Sequence, residues 1–196
     1  MKSNFKKRIF TPEILIKDTT SLVINLQSIL DTITSERISR VFGEKIMLAV
    51  TSVNQCRYCT WLHSDLALSA GADKDQISMI LGQQFEEVSQ EELPALSYAF
   101  HVAETNRNPS IKMTSELYHT YGAEKAKDIE NYIQLIYFGN LSGNTFDAFL
   151  SRLKGYEVED SNAFFEAFFA LVSALPLGLI ALRANKMDGA LKQKLA

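Results

Sequence analysis

Hydrophobic positions recur at helical period along almost the whole chain. Between Pro12 and Ile33, Leu22, Leu26, Ile29, Leu30 and Ile33 fall at three- and four-residue steps, which predicts a helix with one apolar stripe, although Ile16 and Ile24 lie off it. From Gly43 to Val53 a second stripe collects Ile46, Met47, Val50 and Val53, and Asn54-Gln55 then predicts a break. A third helix is expected from near Cys56 to Ala70, where Gly71 supplies a left-handed stop. Asp73 with Gln76, and Ser89 with Glu92, have capping-box spacing. The first pair opens a short helix through Leu81 and Gly82. The second opens one carrying Leu93, Leu96, Phe100 and Ala103 on one face, with Pro94 in its tolerant first turns and Asn106-Arg107-Asn108-Pro109 at its end. Thr114 to Tyr121 before Gly122, Glu124 to Phe138 before Gly139, and Asn144 to Leu153 before Gly155 predict three more helices. No run alternates with period two, and neither a repeat nor a low-complexity linker interrupts the pattern. The expectation is therefore an all-α compact helical bundle, one domain over 1–196, with the cysteine-bearing helices at 40–81 and an apolar C-terminal extension at 159–196.

Composition sharpens this picture in three ways. The 196 residues, 46% of them hydrophobic, are enough for a well-buried core without staples. A formal charge of -3 argues against an extended nucleic-acid surface, and the Lys2, Lys6, Lys7, Arg8 cluster reads as a solvated tail. Residues 1 to 12 lack a secretory apolar block, which predicts a cytoplasmic, reducing location where a cysteine pair is chemical more often than structural. The exception to the soluble pattern is Ala163 to Leu182. Sixteen uncharged residues separate Glu166 from Arg183, just short of a bilayer span and interrupted by Pro176 and Gly178. A buried or oligomer-interface helix pair is expected there, with a membrane-associated tail as the alternative. Because one bundle of this length cannot easily hide Phe164, Phe165, Phe168, Phe169 and the leucines after them, a soluble homo-oligomer is expected.

The candidate chemistry is concentrated in Cys56-Arg57-Tyr58-Cys59-Thr60-Trp61-Leu62-His63, which holds both cysteines, with Glu44 twelve residues before the first. Two thiols at this spacing can close a disulfide, and positions 56, 59 and 63 share one face if they lie on a continuous helix. The free amides at a helix start favour a thiolate at Cys56, by about 0.3–1 kcal/mol. A positioned base is worth about 10²–10⁴ in rate, and His63 stands one turn from Cys59, so the pattern favours Cys59 as the activated thiol. Glu44, on the preceding helix, is returned to the level of His63 if the two helices pack antiparallel. Zinc is the alternative use of Cys56, Cys59 and His63, with Glu44 or His101 as a fourth ligand, but no second ligand pair exists. Two buried small hydrophobes are a further alternative. His119 reads as a surface residue, His101 as at most a cavity liner, and Tyr58 and Trp61 as walls. No metal, haem, flavin or nucleotide motif is visible, so no cofactor is expected.

The run from Glu44 through Cys56, Cys59 and His63, followed by Leu66-Ala67-Leu68 and Ala70-Gly71, resembles the alkylhydroperoxidase D-like branch of the carboxymuconolactone decarboxylase family. The likeness is close over about Arg40 to Leu81 and looser over Tyr137 to Leu150. It implies an all-helical fold that assembles into trimers or hexamers. It also implies thiol-dependent peroxidase or disulfide-reductase chemistry with a hydroperoxide substrate and a dithiol or disulfide-reductase partner. By position, Cys59 would attack, Cys56 resolve, and Glu44 with His63 relay protons. The decarboxylase branch lacks the cysteine pair, so lactone decarboxylation is not expected. One departure is Tyr58, which stands where the best-known peroxidase members often have histidine. A rival expectation from another class is a non-catalytic redox-sensing or structural subunit whose apolar C-terminal region meets a membrane or another chain.

Overall fold

The computed structural model describes residues 5–85, 88–158 and 161–174. They are all-α: α1 (Pro12–Ile24), α2 (Leu26–Thr34), α3 (Arg40–Asn54), α4 (Arg57–Ser69), α5 (Lys74–Leu81), α6 (Leu93–Glu104), α7 (Ile111–Leu153) and a last helix, α8, over 163–174. Among the described residues the only β-type pairing is an isolated bridge between Phe5 and Val158.

The third helix is central. Ser39 caps its start by accepting from the Phe42 amide at 3.2 Å, and it packs against α4, α5, α6 and α7. Ile46, Leu48, Ala49 and Val50 on it are wholly buried. Gly43 permits close approach to α7, because a Cβ there would stand 2.9 Å from the Tyr132 ring. Gln55 ends the helix in the left-handed region (φ 56), a position more usual for glycine, and so turns the chain sharply into α4. Gly71 (φ 96) follows α4 as expected, and Asp73 accepts from the Asp75 and Gln76 amides to open α5.

Four expectations need correction. The helix predicted from Pro12 to Ile33 is two helices, broken at Asn25, whose side-chain amide turns back to the Ser21 carbonyl at 3.0 Å. Its stripe does not face the core: Ile29 is buried, while Leu26, Leu30 and Ile33 are each more than half exposed. Ser89 does not cap α6. Its carbonyl accepts in the preceding turn, and Glu92 occupies the cap position with its carboxylate on Lys45 at 2.7 Å. The breaks expected at Gly139 and before Asn144 do not occur. Helix α7 runs through both and is interrupted only at Gly122 (φ 73, ψ 171), since nothing in Gly139-Asn140-Leu141-Ser142-Gly143 supplies a competing turn.

The basic N-terminal cluster is also not a free tail. Lys7 pairs with Asp147 at 3.1 Å, and Arg8 reaches Asn54 Oδ1 at 3.1 Å, the Glu104 carbonyl at 3.2 Å and the Ala103 carbonyl. Arg8 thus satisfies carbonyls at the end of α6 and a side chain at the end of α3, as a cation placed at two helix C-termini should. Lys6 is exposed as expected, and Lys2 lies outside the described residues.

Asn162 caps α8 by accepting from the Phe164 and Phe165 amides, and Glu166 is buried against Arg152 at 2.9 Å. On its inner side Phe169 packs 5.8 Å from Phe10, while Phe164, Phe168, Leu171 and Val172 face out. The rest of the predicted apolar pair, including Pro176 and Gly178, lies outside the described residues. Among the described residues no helix is long and apolar enough to cross a membrane.

Candidate active site

The geometry of the cysteine pair follows from how α4 starts. Cys56 is its N-cap, with extended backbone (φ -76, ψ 104), and not its first turn. The expectation of one continuous helix through 56, 59 and 63 therefore holds only for the last two. In the cap position the Cys56 sulfur takes the role a serine oxygen usually fills, accepting from the Cys59 amide at 3.3 Å. The Cα atoms of Cys56 and Cys59 are 5.3 Å apart and their sulfurs are joined in a disulfide.

The two sulfurs differ in surroundings. Cys56 is fully buried, whereas Cys59 keeps a small exposure and lines a cavity of about 340 Å³ between α3, α4 and α7. His63 opens on the same cavity, whose other walls include Met47, Leu62, Leu135 and Phe138. Glu44 projects from α3 and is buried. Its Oε2 lies 2.7 Å from His63 Nδ1, so the α3–α4 hairpin brings carboxylate and imidazole together. With Nδ1 held by the carboxylate, Nε2 is the nitrogen left to exchange a proton. Glu44 also borders a separate cleft with Ser35, Arg40 and Tyr132. Burial, followed by the charges of Glu44 and Asp128, pushes the Tyr132 hydroxyl above the usual tyrosine range.

Tyr58 forms part of the cavity wall. Its hydroxyl accepts from Arg57 at 2.6 Å, and Arg57 in turn pairs with Asp147 at 2.7 Å. Burial, then Asp147, raises its pKa despite the neighbouring arginine. Trp61 is buried, His119 is exposed, and His101 does not line the cysteine cavity: its Nε2 accepts the Ser110 amide at 3.1 Å and ties α6 to the loop before α7. Among the described residues there is no group of three or more His, Cys, Asp or Glu side chains able to hold a metal.

Several residues that shape this site are on α7, and sequence reasoning passed over them. A Cβ on Gly143 would stand 2.6 Å from Cys56 Sγ, 3.2 Å from the Tyr58 ring and 3.8 Å from Cys59 Sγ. The glycine is what lets α7 lie directly on the disulfide. One turn before it and one residue after it, asparagine amides hold the end of α3: Asn140 donates to Thr51 Oγ1 at 3.0 Å, and Asn144 donates to the Asn54 carbonyl at 2.8 Å and the Arg8 carbonyl at 3.0 Å. These contacts fix the chain just before Cys56. The signal available was Asn140 and Asn144 at helical spacing around Gly143, which reads equally well as a loop.

Residues 26–105 match the model of the Carboxymuconolactone decarboxylase family, a stretch that spans α2 to α6 and includes Glu44, Cys56, Cys59 and His63. No curated protein and no solved structure matches the chain. The stretch of α7 that lies on the disulfide falls beyond the matched residues.

Proposed function

We propose that the chain is a thiol-dependent peroxidase or disulfide reductase of the alkylhydroperoxidase D-like kind, with Cys59 attacking, Cys56 resolving, and His63 and Glu44 moving the proton. The observation that carries this reading is that Cys59 and His63 share one mostly apolar cavity while Glu44 holds His63 Nδ1 at 2.7 Å and Cys56 stays buried behind. In the reduced protein His63 takes the Cys59 proton. The thiolate attacks the terminal oxygen of a hydroperoxide, the O–O bond breaks, and the proton returns from His63 to the departing alkoxide to give an alcohol. Cys59 is left as a sulfenic acid. The Cys56 thiol condenses with it, water leaves, and the disulfide forms. A dithiol partner then restores both thiols by two exchanges through a mixed disulfide, becoming a disulfide itself.

The cavity walls suit an organic hydroperoxide better than a charged one, since a buried unpaired charge is costly. We further propose that the protein works in a reducing compartment and self-associates, its outward Leu26, Leu30 and Ile33 on α2 and Phe164 and Phe168 on α8 being covered by other copies. The test is a turnover assay with cumene hydroperoxide and a generic dithiol. Sustained consumption well beyond one equivalent supports the enzyme. A single equivalent followed by arrest defeats it and leaves a redox sensor.

A further inference from the structure

On the far side of Phe138 from the cysteines, α1, α6 and α7 enclose a second cavity of about 380 Å³. Phe138 lines both, but the two differ in chemistry. Leu22, Val102 and Ile133 join Phe138 in an apolar wall here, and the rest of the lining mixes uncharged side chains such as Ser21, Tyr98 and Gln134 with Lys17, Arg107 and Lys127 against Asp18 and Glu130. The carboxylates are already committed. Both oxygens of Asp18 accept from Arg107 Nη1 at 2.6 Å, and Glu130 accepts from the Tyr118 hydroxyl at 2.9 Å.

The cations are not used up in the same way. The Arg107 guanidinium is stacked 4.6 Å over the Tyr137 ring, and its bonds to Asp18 use one terminal nitrogen, leaving Nε and Nη2 as donors. Lys127 stands 3.7 Å from Glu130, beyond hydrogen-bond length. Lys17 makes no hydrogen bond or ion pair among the described residues. The arginine is also fixed through its backbone: Asn106 (φ 52) and Arg107 (φ 67) are left-handed residues that close the end of α6, with the Arg107 amide donating to the Val102 carbonyl at 2.7 Å.

Three cations against two committed carboxylates leave room for a single negative charge, and the apolar wall leaves room for a hydrocarbon body. We propose that this cavity is a binding site for an amphipathic monocarboxylate, its carboxylate on Arg107 with Lys17 and Lys127 beside it and its chain along Leu22, Val102, Ile133 and Phe138. A polyanion is disfavoured by Asp18 and Glu130, and a neutral apolar molecule leaves the arginine donors unused. The inference does not depend on the redox reading of the other cavity.

Octanoate is the probe, titrated calorimetrically into the full chain beside octanol, with a photoreactive eight-carbon carboxylate to map the site. Octanoate should bind at least about fivefold more tightly than octanol, the size of one well-placed surface charge pair. Crosslinks should fall in α1 and in the Lys127–Phe138 part of α7. Lys17→Gln with Lys127→Gln should weaken octanoate by about fivefold or more, without moving octanol affinity or the melting temperature. Leu22→Trp should fill the cavity and remove both. Equal affinity for the two probes, crosslinks on the cysteine cavity, no octanoate binding up to about 10 mM, or an unmoved double variant would each overturn the proposal.

Discussion

Helices α2 and α3 are both amphipathic, both lie inside the matched family segment, and they are docked in opposite senses. On α3 the apolar residues are packed inward, with Ile46, Leu48, Ala49 and Val50 at zero exposure and Glu44, Lys45 and Thr51 buried among them. On α2 the polar side faces the protein. Thr32 is fully buried, donating to Asp128 at 2.7 Å and accepting from Asn131 at 2.8 Å, and Ser28 accepts from Asn131 at 2.9 Å, while Leu30 and Ile33 look outward. Periodicity tells which residues share a face. It does not tell which face is inside, because that is decided by what the neighbouring helix offers, and α7 offers Asp128 and Asn131 at this place. One helix is held by the hydrophobic effect, and the other by a buried polar network that leaves its apolar face for something else.

The largest effects are expected where α3 and α4 place reactive groups. Cys59→Ser should abolish turnover, whereas Cys56→Ser should still consume one equivalent of hydroperoxide and trap a sulfenic acid at Cys59. A dimedone-type label followed by mass spectrometry reads this directly, and the reverse pattern would invert the assigned roles. Next in size is the relay. His63→Ala should cost about 10²–10⁴ in rate, the usual worth of a positioned acid–base group. Glu44→Gln should lower the rate less and slow thiol alkylation at neutral pH, because the amide can still hold Nδ1 but brings no negative charge to the ring. Alkylation rates against pH that are unchanged in both variants would remove the relay from the mechanism.

A third prediction concerns the part of the site that the motif does not contain. Gly143→Val puts branched carbon where even a Cβ would be 2.6 Å from Cys56 Sγ, so α7 must retreat. The expected loss is about 1–3 kcal/mol in a urea melt, as for other overpacked cores. The oxidised form should suffer more than the reduced form, whose sulfurs can move apart. Equal losses in the two forms would mean that the glycine serves packing alone.

That contrast also marks how far the sequence was legible. Helix α3, the ends of α4 and α5, the left-handed Gly71 and the meeting of Glu44 with His63 all follow from local spacing or a tight turn between neighbouring helices. Gly143, Asn144 and Arg8 act across some ninety residues or more of chain, on Cys56, the Asn54 carbonyl and the end of α6. No local pattern announces such contacts. A glycine and two asparagines in a helix look like a loop until their partners are known, and a basic N-terminal run looks solvated until the helix ends it caps are in place. The break at Asn25 was missed because the apolar spacing continues across it.

The polar docking of α2 makes an acid prediction. Burial opposes ionisation of Asp128, but hydrogen bonds from Arg37 and Thr32 outweigh it and hold its carboxyl below the ordinary range. A carboxyl with a lowered folded-state pKa stabilises the fold above its unfolded value, about 3.9, and that contribution is lost as pH falls through the lower folded value. The wild-type urea midpoint should therefore fall in this acid window. Asp128→Asn should be less stable at neutral pH and show a flatter acid limb. A limb as steep in the variant as in the wild type would place the acid sensitivity elsewhere.

The smallest effect on the folded monomer should come from the outer face of the same helix. Leu30 is about half exposed, and it lies on the side opposite the Thr32–Asp128 contact. Leu30→Glu removes little buried surface and exposes no unpaired group, so its cost to a single chain should stay within about 0.5 kcal/mol, as for surface substitutions in general. If another copy covers Leu26, Leu30 and Ile33, the same change buries an uncompensated carboxylate in an apolar contact, which is far more costly. Sedimentation should then show the assembly falling apart into smaller species while far-UV circular dichroism and the monomer's own melt stay put. Thr32→Val gives the opposite signature: it strips the hydroxyl from Asp128 and Asn131 and should loosen α2 from α7 in every oligomeric state. Unchanged sedimentation in Leu30→Glu would show that the outer face of α2 is not where copies meet.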